Sequence, residues 1–154
     1  MTARTPKITF DASARRLDVH GSKADCKDAP ITLDTDRAGR RDAINPAELL
    51  WAALSACMLK SIERVTPLLK FGLRGAWVRV HGASQDVPHK MESIRYEIVV
   101  DTDEPEQRLN LLHDKVKKYG TVFNTAAPGT DPAGTTRRKL APAAQKADAS
   151  GDLL

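Results

Sequence analysis

The longest apolar stretch of the chain is Leu49-Leu50-Trp51-Ala52-Ala53-Leu54-Ser55-Ala56-Cys57-Met58-Leu59, apolar nearly all the way round a helix. Such a segment is buried on most sides rather than laid on a surface. Its start is marked. Asn45 suits an N-cap, Pro46 suits the first helical position, and Glu48 stands at capping-box spacing from Asn45. Polar residues return at Lys60, Ser61, Glu63 and Arg64, and Pro67 closes the pattern. A helix over residues 46 to about 66 is predicted.

On both sides of this helix the period changes to two. Residues 7–11 and 16–20 alternate polar and apolar around the polar turn Ala12-Ser13-Ala14, which predicts a hairpin. Residues 21–30 read as a loop and 31–35 as a third short strand. Residues 36–44 are rich in Arg, carry Gly39 and form a loop into the helix. Beyond Gly72, Ala76, Val78 and Val80 alternate with Trp77, Arg79 and His81. Ile94, Tyr96, Ile98 and Val100 then alternate with Arg95, Glu97 and Val99. Two such strands joined by a loop over 82–90 form an antiparallel pair.

Pro105 opens a second helix with Glu104 and Glu106 in its first turn and an apolar stripe of Leu109, Leu112 and Val116. Lys115, Lys117 and Lys118 fall at its C-terminal end, where the helix dipole favours cations, and Gly120 is placed as its stop. From Ala126 onward the chain is Ala, Pro, Gly, Thr and Asp without a period. The expected organisation is one domain over 1–125 and a disordered tail over 126–154.

Composition narrows the function classes. The 154 residues suit one domain, and 5% aromatic content leaves the core to Leu, Val, Ile and Ala. The formal charge of +4 is scattered. No stretch interleaves basic and aromatic residues as a base-stacking surface does, so no specific nucleic-acid partner is expected. Two cysteines far apart, Cys26 and Cys57, are no disulfide framework. The first nine residues hold no apolar run of a secretory signal, and no segment is apolar enough to span a membrane. A reducing cytoplasm is the expected location. His20, His81, His89 and His113 are scattered and no Cys pair has zinc spacing, so neither a metal nor another cofactor is expected.

Residues 46–57, Pro-Ala-Glu-Leu-Leu-Trp-Ala-Ala-Leu-Ser-Ala-Cys, resemble the signature helix of the OsmC/Ohr family, roughly P-x-E-L-L-x-A-A-L-x-A-C. A family strand of the type V-x-V-x-G is matched by Val78-Arg79-Val80-His81-Gly82. The resemblance covers about residues 45–122. It implies an α+β fold in which a highly curved antiparallel sheet wraps two central helices, one from each chain of an intertwined homodimer. In the family's peroxidases the helix Cys attacks a hydroperoxide, and a second Cys, in a Cys-Pro-Val after the later helix, resolves it as a disulfide. Here that place reads Gly120-Thr121-Val122. The peroxidases also carry an acidic residue directly after the helix Pro, where this chain has Ala47. Glu48 instead matches the Glu of the OsmC-like branch.

Each candidate has a functional and a plain structural reading. Cys57 is the reactive thiol by register, or a small apolar filler, as buried Cys often is. A reactive thiolate needs a cation. The loop Arg37-Ala38-Gly39-Arg40-Arg41 offers one, with Arg40 preferred among its three arginines and a solvated loop the plain reading of each; Arg15 and Arg16 are further options. Glu48 either orients that Arg or completes a cap with Asn45. Nine residues along one helix is a rise of about 13 Å and a rotation near 180°. Glu48 therefore acts on Cys57 only through a bridging Arg or across a dimer interface. Cys26 is a loop thiol, or a relocated resolving partner.

The resemblance implies reduction of organic or hydrogen peroxides by a one-cysteine route, with Cys57, Arg40 and Glu48 as site residues and a small thiol as reductant. The rival is a non-catalytic dimeric binding protein with an apolar pocket near Trp51 and Met58.

Overall fold

The computed structural model describes residues 8–141. The described residues form two compact units that divide between Leu54 and Ser55.

In the first unit, β1 (Ser13–Arg16), β2 (Gly21–Cys26) and β3 (Ala29–Asp34) form an antiparallel sheet in that order. Four expectations are corrected here, and the first is the predicted strand over 16–20, of which only Arg16 lies in a strand while 17–20 form the turn after β1. The predicted strand over 7–11 is absent from its described part, residues 8–11; Lys7 lies outside the described residues. The predicted turn at 12–14 runs into β1, and the predicted loop over 21–30 holds β2, the middle strand. Ser22-Lys23-Ala24-Asp25 has no apolar face for a period-two pattern to reveal. Its strand character comes from backbone ladders on both sides, which satisfy its N–H and C=O groups. Leu17 and Asp18 donate to the Gly21 carbonyl, and the Asp18 carboxylate accepts from the N–H groups of His20 and Gly21, closing the β1–β2 turn. Lys27, with φ of 56°, makes the tight turn from β2 to β3.

The helix α1 (Pro46–Leu69) begins as its sequence predicts and ends three residues later. Pro67 lies inside its last turn, where its missing N–H forfeits a single helical bond. The stop is instead a Schellman motif. Lys70 takes the left-handed conformation (φ 49°), its N–H bonds to the Pro67 carbonyl, and the Phe71 N–H bonds to Thr66. One face of α1 is covered: Leu54, Met58, Ile62 and Val65 are buried, as are Ser61 and Thr66. Leu50, Ala53, Ala56 and Leu59 are exposed. The all-round apolar pattern is thus half used within one chain.

The second unit holds β4 (Gly75–Gln85), β5 (Lys90–Asp101), α2 (Glu106–Tyr119), α3 (Thr121–Thr130) and β6 (Ala133–Arg138). The sheet order is β4-β5-β6. The β4–β5 pair is antiparallel as predicted, with a bulge at Ala83/Ser84. Ile94, Tyr96, Ile98 and Val100 present the buried face of β5. Leu109, Leu112 and Val116, the stripe read from the sequence, are fully buried on α2. Each such side chain contributes roughly 1.5–3 kcal/mol.

The tail expectation is corrected over residues 126–138, which complete α3 and form β6 parallel to β5; residues 142–154 lie outside the described residues. The segment is poor in apolar side chains and is held by other means. Its backbone pairs with β5, and Gly134 lets it close onto Tyr96, whose ring and carbonyl a Cβ at 134 would overlap. Thr136 Oγ1 bonds His113 of α2. The α+β class stands; its strands form two three-stranded sheets, and the second is mixed rather than purely antiparallel.

Candidate functional site

Cys57 lies half-buried on α1, at the junction where α2 ends and α3 begins. The Val122 N–H donates to its Sγ at 3.4 Å. Val122 is in the first turn of α3, where backbone N–H groups have no partner within the helix, so the sulfur serves as a cap. An N–H and the positive end of a helix dipole favour a negatively charged acceptor. Gly120 makes the close approach possible. A Cβ there would stand 3.0 Å from Phe123 Cβ, 3.3 Å from the Val116 carbonyl oxygen and 3.8 Å from Cys57 Sγ. Position 120, where the sequence pattern lacks its second thiol, is thus beside the first.

Behind this junction lies a polar chain that sequence reading missed. Phe123 meets the Tyr96 ring edge-on, with centroids 5.9 Å apart. The Tyr96 hydroxyl is 3.1 Å from His113 Nε2, and His113 Nδ1 is 2.8 Å from Thr136 Oγ1. Desolvation pushes Tyr96 up to about 12, with the Asp114 charge adding to it. Desolvation, then the charge of Lys117, holds His113 below the ordinary imidazole range, against a smaller opposite pull from Asp114. No sequence signal linked these residues, because they come from β5, α2 and a segment read as tail.

Arg40 and Glu48 lie in the first unit, where both line one open concavity of about 760 Å³ over residues 34–48. Asp34, itself buried, shapes this loop by accepting the N–H groups of Asp36 and Arg40. The Arg40 guanidinium forks onto Asp42, with Nε–Oδ1 2.7 Å and Nη2–Oδ2 2.6 Å. This contact raises the Arg40 pKa and lowers Asp42 to about 2. Glu48 closes a reciprocal capping box: Asn45 N–H donates to Glu48 Oε2, and Glu48 N–H to Asn45 Oδ1, both at 2.9 Å. The capping reading of Glu48 is therefore realised. The exposed pair of His20 Nδ1 with Asp36 Oδ2 at 2.5 Å was not legible in the sequence.

Cys26 is exposed at the end of β2, its thiol donating to the Asp11 carbonyl at 3.3 Å; neither cysteine is in a disulfide. Met58 is fully buried, so it does not face an open pocket of the kind the binding-protein rival needs. Among the described residues no group of three or more His, Cys, Asp and Glu is placed to hold a metal ion. Among the same residues no helix is long and apolar enough to cross a membrane.

A family model described as OsmC-like protein matches residues 39–133, more than half of the chain. No curated protein matches at a significant level. Among solved structures, an OsmC-like protein from Mycoplasma pneumoniae superposes with a TM-score of 0.77 at 18% identity, covering 89% of this chain and 100% of that one. An organic hydroperoxide resistance protein OsmC from Legionella pneumophila gives 0.64 at 18%, covering 88% and 100%. An organic hydroperoxide resistance protein from Elizabethkingia anophelis gives 0.68 at 14%, covering 87% and 100%. At these identities the structural likeness speaks for the fold alone.

Proposed function

The chain belongs to the OsmC-like family, and we propose that within it the protein is a thiol-dependent peroxidase working through Cys57 alone. The observation that carries this reading is the Val122 N–H donating to Cys57 Sγ from the first turn of α3, which holds the sulfur at the α2–α3 junction beside Gly120. Two of the structural relatives are named for organic hydroperoxide resistance, which fits the same substrate class.

The proposed cycle balances with one cysteine. The Cys57 thiolate attacks the terminal oxygen of a hydroperoxide, the O–O bond breaks, and the departing alkoxide takes a proton and leaves as alcohol, or as water from hydrogen peroxide. The sulfur becomes a sulfenic acid. A small thiol condenses with it, releasing water and leaving a mixed disulfide. A second small thiol then frees Cys57 and departs as the disulfide of the reductant. Gly120 carries no sulfur to intercept the sulfenic acid, and the proposed reductant is a small thiol from solution. Arg40 is the proposed cation for the thiolate, and Glu48 the proposed partner that places the loop carrying it.

The protein is proposed to act in the cytoplasm as a homodimer. The uncovered apolar face of α1, with Leu50 41% and Leu59 36% exposed, supports a second copy packed there. Light scattering after size exclusion should give about twice the mass of one chain. The activity is tested by following cumene hydroperoxide consumption with a small-thiol reductant. Cys57→Ser should abolish turnover and Cys26→Ser should leave it. Equal turnover by wild type and Cys57→Ser would refute the assignment.

A further inference from the structure

The solvent face of the β4-β5-β6 sheet gathers residues that no linear stretch brings together. Along β4 it presents Trp77, Arg79 and His81, and the register sets Val99, Glu97 and Arg95 of β5 opposite them. Arg137 of β6 stands beside Val99, completing a row Trp77–Val99–Arg137. Lys139, just past the strand, holds its ammonium 5.0 Å from the centre of the Trp77 ring. The indole is 46% exposed, although a large apolar ring on an open strand gains nothing from water.

The charges on this face do not cancel. Glu97 is held by Arg137 at 2.5 Å, and Asp101 is shared by Arg74 and Lys139. Among the described residues, the side chains of Arg79, His81 and Arg95 make neither a hydrogen bond nor a close salt bridge and all three are exposed, although Arg137 and, after it, the Arg79 charge lower the pKa of the Glu97 carboxyl. His81 lies directly across from Arg95, and Arg79 is their neighbour on the same face. Arg79 stands opposite Glu97, which Arg137 already holds, while Arg95 faces His81 and has no acidic partner across the strand pair. Arg79 also joins two adjoining concavities: one of about 360 Å³ with Trp77, Arg137 and Lys139, and one of about 570 Å³ with His81 and Arg95.

We infer that this face binds single-stranded nucleic acid without sequence preference, a base stacking on Trp77 and successive phosphates lying on Arg79 and the His81–Arg95 pair. Alternate residues on one strand face are about 6.8 Å apart, a step comparable to that between phosphates of an extended single strand. Stacking on an exposed aromatic is tolerant of base identity, and the exposed guanidinium groups of Arg79 and Arg95 supply the phosphate contacts. A base on the indole displaces Lys139 toward a phosphate. The site is independent of Cys57 chemistry.

The test is fluorescence anisotropy of a labelled thymidine dodecamer with the full-length protein, titrated at 50 and 200 mM salt, beside a heparin fragment of matched charge. Binding should be saturable and weaken with salt, each phosphate engaged contributing about −0.7 to the log–log slope. Arg79→Ala with Arg95→Ala should flatten that slope by about 1.4. Trp77→Ala should lower affinity for the dodecamer about ten- to a hundredfold, with Trp77→Phe largely restoring it and heparin indifferent to both. These residues are exposed, and unchanged melting temperatures would show that the variants fold. No saturable binding at 50 mM salt, or heparin binding as tightly with Trp77→Ala silent on the dodecamer, would overturn the inference.

Discussion

Gly120 faces Cys57 so closely that a Cβ on residue 120 would lie 3.8 Å from the sulfur. A thiol on that Cβ is within small rotations of an S–S bond of about 2.05 Å. Gly120→Cys is therefore expected to form a disulfide with Cys57 on mild oxidation, read as the loss of two titratable thiols while Cys26 remains. The introduced Cβ also meets Phe123 Cβ at 3.0 Å and the Val116 carbonyl at 3.3 Å. The reduced variant should accordingly be less stable than the wild type by about 1–3 kcal/mol. Three free thiols after oxidation would contradict the placement of the α2–α3 junction.

The Tyr96–His113–Thr136 chain predicts a pH dependence. Desolvation holds the folded-state pKa of His113 below the unfolded value of 6.5. The unfolded chain therefore binds the proton first as pH falls. The contribution of neutral His113 is complete above 6.5 and is lost as pH drops through the folded pKa. Melting temperature should fall from pH 7.5 to pH 5, and His113→Gln should show a smaller fall. At the alkaline end the sign reverses. Tyr96, raised to about 12, favours the fold below pH 10 and withdraws that support above it. A His113→Gln profile parallel to the wild type would show that this histidine does not set the acid limb.

The capping box separates two roles of Glu48. Asn45→Ala should destabilise the protein by about 1 kcal/mol through the lost bond to the Glu48 N–H. Glu48→Gln keeps an acceptor for the Asn45 N–H, and the melting temperature should change little. A Glu48→Gln enzyme with wild-type stability but impaired peroxide turnover would assign the carboxylate to the chemistry. Equal turnover would leave it a cap.

Truncation after residue 125 removes half of α3 and all of β6. With them go the parallel ladder to β5 and the Thr136 bond to His113. Calorimetry should show a melting temperature several degrees lower, or no cooperative transition. An unchanged transition would mean that residues 126–138 add nothing to stability.

What the sequence revealed and what it hid follows one physical line. Helices with a strong apolar signal were legible: α1 from its cap to its last turn, and α2 from Leu109, Leu112 and Val116. So were β4 and β5, whose alternation reflects one buried face. Elements held by backbone pairing were invisible. β2 carries no apolar face, and β6 closes through Gly134 and Thr136 rather than through burial of large side chains. Cys57 could be picked by register. Its partner Val122 could not, because the donor is a backbone N–H that every residue type but proline owns.

Whether Cys57 is a peroxide-reactive thiol is read from the rate of its first step. Reduced protein mixed with cumene hydroperoxide should be followed by thiol loss under single-turnover conditions, with a dimedone-type probe to capture the product. The expected result is a rate constant well above that of free cysteine at the same pH, capture at Cys57 as sulfenic acid, and no Cys26–Cys57 disulfide. A Cys57 that reacts no faster than free cysteine would contradict it.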